Sequence, residues 1–159
     1  FTTEFPFTGE GGLIVDGAGT VKFAADTLKF TGTVDVRSGT LDLTAAGSLK
    51  AVPLTGSGTV KGGAFADVVL KAGSALTFDG TSFGSRLTID FGRTEADPMD
   101  PAVLANGVEI GSFTGTAPVL PTDVRGINTG FGRVRGTVSV VGNKLVASLA
   151  RSGMLLIVR

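Results

Sequence analysis

The chain has 159 residues in which 14 Lys and Arg balance 14 Asp and Glu, with 25 glycines, 20 threonines and no His, Cys, Trp or Tyr. That composition excludes a Ser-His-Asp triad, a thiol nucleophile, imidazole or thiolate metal ligation and any disulfide. A formal charge of zero supplies no basic face to displace counterions from nucleic acid, and it removes long-range repulsion between copies of the chain.

The chain opens on Phe1 with no Met and no signal-peptide pattern, as a processed chain or a piece of a longer one does. In Phe-Thr-Thr-Glu-Phe-Pro-Phe the aromatic residues alternate, which puts Phe1, Phe5 and Phe7 on one side of an extended strand. Three such rings at a chain end are costly to leave in water. They cover either the domain's own core or the sheet edge of a neighbouring subunit.

From residue 20 a short motif recurs, a Thr or Ser followed by apolar, polar and apolar residues. It reads Thr20-Val21-Lys22-Phe23, Thr27-Leu28-Lys29-Phe30, Thr33-Val34-Asp35-Val36 and Thr40-Leu41-Asp42-Leu43, then Ser48-Leu49-Lys50-Ala51. Looser copies stand at 59–61, 75–78, 86–89 and 137–140. This alternation is the mark of short strands joined by tight corners. Gly19-Thr20, Gly39-Thr40 and Gly58-Thr59 recur at intervals of 20 and 19 residues. Self-similarity at that period signals a solenoid. The spacing predicts three short faces per coil, with Val21, Leu41 and Val60 stacked in one interior column and Thr20, Thr40 and Thr59 stacked at a corner. Glycine suits corners that need positive φ, and threonine and valine suit pleated faces.

The second half reads differently. Residues 92–102 and 115–123 are polar, proline-bearing loops. No window combines helical spacing with a cap, so no helix is expected. Strands are expected over 107–113, 133–141, 144–149 and 154–158, with Gly142-Asn143 as a tight hairpin turn. The expected architecture is all-β: a β-solenoid of about 3–4 coils over residues 1–91 and an antiparallel C-terminal cap over 92–159, in one continuous domain. The alternative is a β-sandwich or jelly roll, because seven-residue spacing also fits an antiparallel meander.

Residues 11–43 carry a resemblance. The stretch Gly17, Gly19, Thr20, Val21 opens a strand, and Ser38, Gly39, Thr40, Leu41, Leu43 closes the unit, with decayed copies at 56–63 and 72–80. This resembles the autotransporter-associated β-strand repeat of bacterial surface proteins, and 107–159 resembles the segment that follows such repeats. The resemblance implies a right-handed β-helix, an extracellular or cell-surface location, and a structural role as stalk, fibre or adhesin.

Other constellations yield no chemistry. Asp90-Phe91-Gly92 spells a kinase tripeptide inside an alternating strand, without the rest of a kinase. Gly17-x-Gly19 and Gly56-x-Gly58 precede strands, whereas phosphate loops precede helices. Glu95, Asp97 and Asp100 lack calcium-loop spacing and read as a solvated loop. The longest apolar run, Met154 to Val158, is far short of the ~20 residues of a membrane span. No catalytic residue, cofactor or metal ligand is assigned, and the chain is read as a non-enzyme. The expected partner is the chain itself, assembling end to end through Phe1, Phe5 and Phe7 at one end and Leu155 and Ile157 at the other. A glycan or host surface is the alternative partner; nucleic acid and membrane insertion are not expected.

Overall fold

The computed structural model describes residues 2–3, 7–23, 28–30, 32–46, 48–49 and 52–151. Each circuit of the chain lays down three strand segments. The N-terminal circuit is β1 (Thr2–Thr3), β2 (Phe7–Gly9) and β3 (Leu13–Val15). Then come β4 (Thr20–Phe23), β5 (Leu28–Phe30) and β6 (Val34–Val36), followed by β7 (Thr40–Asp42), β8 (Ser48–Leu49) and β9 (Val52–Gly56). Next are β10 (Thr59–Lys61) and β11 (Ala64–Lys71), whose two halves serve two faces, and likewise β12 (Thr77–Asp79) and β13 (Ser82–Arg93). The chain finishes with the helix α1 (Pro101–Asn106), β14 (Val108–Thr114), β15 (Asp123–Thr129), β16 (Val134–Val141) and β17 (Lys144–Arg151).

The stacking makes this a β-solenoid. On one face β1, β4, β7, β10, β12 and β14 pair in that order, all parallel. On another, β3, β6, β9, β11, β13 and β15 do the same. Short pairs fill the third: β2 with β5, and β8 with the start of β11, which pairs with the start of β13. Parallel strands need a long connection between them, and here the connection is the rest of the coil.

The register aligns the interior residues. Val21 lies opposite Leu41, Leu41 opposite Val60, Val60 opposite Phe78 and Phe78 opposite Phe113. Leu41 and Val60 are fully buried and Phe78 nearly so, while Val21, nearest the N-terminal end, is half-buried against the same core. A second column runs Val34, Leu54, Leu70, Ile89. Phe78 meets Phe83 edge to face at 5.1 Å, tying two faces together.

Corners are held by backbone bonds from rung to rung. The N–H groups of Thr40, Thr59 and Thr77 donate to the carbonyls of Gly19, Gly39 and Gly58. Gly39 sits at φ 69°, and a Cβ there would lie 2.2 Å from the Gly17 carbonyl oxygen, so this corner admits only glycine.

The C-terminal strands turn antiparallel. β17 pairs with β14, β16 pairs with β17, and the first part of β16 pairs with β15, so the hairpin bridges two faces at the end of the stack. Val141 lies opposite Lys144 across the two-residue turn. Gly142 at φ 63° with no left-handed Asn143 is the pattern of a type II′ turn.

Two expectations are corrected. Residues 101–106, expected to be loop and strand connection, form α1. Asp100 caps it by accepting from the Ala102 N–H at 2.8 Å, Pro101 opens it, and the Gly107 N–H bonds back to Val103. The start and stop residues were present, but a single turn and a half is too short to show periodicity. Its one buried side chain, Leu104, sits where α1 packs against β17. β15 is also a strand where none was expected.

Candidate functional site

Two kinds of feature stand out on this scaffold: the ends of the stack and a cleft beside the cap. Of the end residues, Phe1, Phe5, Leu155 and Ile157 lie outside the described residues, and Phe7 lies in β2, where only the backbone is described.

At the N-terminal end β3 is outermost on its face and pairs with β6 alone among the described residues. The Leu13 N–H donates to Thr33 and the Val15 carbonyl accepts from Arg37, each at 2.9 Å. Alternation in a parallel ladder therefore turns the N–H and C=O of Ile14 away from β6, onto the open edge. The Ile14 side chain is 56% exposed. At the opposite end β16 pairs with β15 only through Val134, Arg135 and Gly136; from 137 to 141 its one partner among the described residues is β17. Val140 and Val141, on that stretch, are exposed.

The outer surface between these ends carries ordered charge. The register puts Lys22 opposite Asp42, Asp42 opposite Lys61 and Lys61 opposite Asp79. A second alternation runs Asp67, Arg86, Asp123. Partial burial works against the Asp42 charge. The Thr44 hydroxyl and N–H, which both donate to Asp42, together with Lys22 and Lys61, outweigh it and hold the carboxyl below its usual range. Asp123 is held below the same range first by hydrogen bonding from Arg125, against some desolvation, and then by Arg86 at 3.2 Å. The alternation of sign shows only once the register is known, because each step is a whole coil away in sequence.

The acidic loop is committed elsewhere. Asp97 pairs with Arg93 and Asp100 caps α1, and among the described residues no group of three His, Cys, Asp or Glu could hold a metal. Asp90 of the kinase-like tripeptide accepts from the Gly92 N–H and from the Asn128 side chain, so it organises a turn.

The cleft is about 470 Å³ in volume and is lined by Arg93 at the end of β13 with Thr94 and Glu95 after it, Ile127 to Thr129 at the end of β15 with Gly130 after it, and Gly132 and Arg133 before β16. Thr129 is fully buried, and its hydroxyl donates to the Gly132 carbonyl at 2.6 Å, closing the loop on itself. Gly130, at φ 87°, passes so close to Thr94 and Pro98 that a Cβ would lie 2.3 Å from the Thr94 oxygen. The Arg151 guanidinium stacks over Phe131 at 5.3 Å. This cleft is not visible in the sequence: Arg93 ends β13 and Arg133 lies just before β16, 40 residues further on, and only Arg133 and Arg135 stand close together in sequence.

No family model, no curated protein and no solved structure matches this chain.

Proposed function

We propose that the chain is a non-enzymatic structural protein of the autotransporter-associated repeat type, a subunit or segment of an extracellular bacterial surface fibre that assembles end to end. The observation that carries this reading is the parallel edge of β3 that has no partner strand among the described residues, with Ile14 presenting both backbone groups and an exposed apolar side chain. An unpaired strand edge is a template for another strand, and here it is three residues long. The exposed, singly paired stretch 137–141 of β16 offers an acceptor at the other end. Two different patches meeting head to tail make a contact that does not close, and such contacts propagate as filaments. Zero net charge puts no long-range barrier between copies. The absence of histidine and cysteine from the sequence supports a structural rather than catalytic role.

Ile14→Pro tests it. Proline on an edge strand deletes a donor from the open side while leaving the β3–β6 bonds in place. The wild-type chain is expected to scatter light increasingly with concentration and to show linear particles in negative stain. The variant should keep its circular dichroism spectrum and lose the particles. A wild-type chain that stays monomeric at high concentration overturns the reading.

A further inference from the structure

We infer that the cleft between the ends of β13 and β15 is an oxyanion-binding site, taking a sulfate, phosphate or carboxylate group. This goes beyond the assembly reading and stands independently of it.

Three observations converge there. The first is backbone shape. Asn128 at φ 51° is the only non-glycine residue with positive φ among the described residues, and Gly130 and Gly132 follow at 87° and 96°, with Thr129 and Phe131 on the negative side. Alternating φ sign over successive residues is the pattern that turns backbone N–H groups towards a common anion. The second is hydrogen-bond bookkeeping. The N–H groups of Gly130, Gly132 and Arg133 have no protein acceptor among the described residues, whereas Thr129 Oγ1 donates to the Gly132 carbonyl, the Thr129 carbonyl accepts from Met99 N–H and Asn128 Nδ2 donates to Asp90. The third is charge. Arg93 and Arg133 both line the cleft; Arg93 is paired with Asp97, whereas Arg133 is exposed and has no carboxylate partner among the described residues. A guanidinium fork matches an oxyanion bidentately, and charge-assisted bonds of this kind are the strong ones.

Glu95 is the opposing group. It lines the same cleft and would repel the ligand, which makes it the natural tuning point. The pinned loop also fits the role. Thr129 and the tight passage at Gly130 fix the backbone before any ligand arrives, so little ordering cost is left for binding.

The experiment is a titration of the full chain followed by amide chemical shifts, at constant ionic strength in chloride. The probes are sodium sulfate, inorganic phosphate, a sulfated oligosaccharide and a neutral oligosaccharide. Saturable shifts are expected at 93–95 and 127–133 with the anionic probes and not with the neutral one. Arg133→Gln should weaken binding about tenfold, the equivalent of one charge-assisted bond, and Glu95→Gln should strengthen it. Saturation by the inorganic ions alone identifies a small free anion as ligand. Saturation only by the sulfated oligosaccharide identifies a carrier-borne group. Either result supports the site. No saturable shift with any anionic probe, or equal binding by wild type and Arg133→Gln, overturns it.

Discussion

The stacked half of the molecule and its cap solve the same burial problem in opposite ways. Between β4 and β12 each rung on the first face is only three or four residues long, and its interior residue is covered by the rungs on either side. Stability there is a sum of nearest-neighbour contacts repeated along one axis. In the cap, β16 and β17 run eight residues each, and burial alternates within a strand: Leu145, Ala147 and Leu149 face inward while most of β16 is left exposed. The first arrangement makes every interior residue indispensable to two neighbours. The second ends the stack by spending one strand on solvent.

The sharpest test of that contrast is truncation at matched points. Phe78 lies in the column between Val60 and Phe113 and also meets Phe83 on the next face. Phe78→Ala opens a cavity bounded by three rungs and should cost about 3–5 kcal/mol in urea unfolding. Val140→Ala, on the exposed part of β16, should change stability by less than about 0.5 kcal/mol. Comparable costs at the two sites would break the comparison.

Corners come next. Gly39→Ala places a Cβ against two carbonyl oxygens at a left-handed backbone position and should cost about 1–3 kcal/mol. Gly142→Ala, in the cap's hairpin turn, has positive φ but open space around it, so it should cost less, about 1 kcal/mol. Thermal melts of the two variants separate backbone strain, present in both, from steric exclusion, present only in the stack.

The stack was legible in sequence because its period is carried by chemistry that recurs: Gly at a corner, Thr beside it, an apolar residue next. Val21, Leu41 and Val60 share that context, and the register aligns them. β15 was not legible. Its Asp-Val-Arg-Gly-Ile-Asn-Thr alternation carries Gly126 at an interior position, where Val134 and Phe91 fill the space a side chain would take. An inward glycine looks like a turn until its neighbours are known. α1 was hidden by its shortness. The cleft was hidden because Arg93 and Arg133 come to line one cleft only when β13, β15 and β16 are laid side by side. Repetition can be read from one strand of text, whereas a site made of single residues from separate strands cannot.

The smallest effects concern the charge ladder, which runs Lys22, Asp42, Lys61, Asp79 and stops at Thr114, the exposed residue where the stack meets the cap. Asp42→Lys puts like charges on three successive rungs and should destabilise by about 0.2–1 kcal/mol per contact. Thr114→Lys does the reverse: it sets a cation opposite Asp79, continues the alternation into the cap, and should stabilise by a few tenths of a kcal/mol. Both effects should shrink in high salt, because the groups are at the surface and the Debye length falls from about 10 Å at 0.1 M to about 3 Å at 1 M. Acid titration checks the same ladder with its own sign. The Asp42 carboxyl is held below its usual range in the folded chain, so its contribution is complete above the unfolded value, about 3.9, and is lost as pH falls through the folded value. Asp42→Asn should therefore lower the melting temperature at neutral pH and leave a smaller further drop on acidification. If the ladder is merely decorative, wild type and Asp42→Asn will lose stability in parallel down to the lowest pH, and Thr114→Lys will melt with the wild type at every salt concentration.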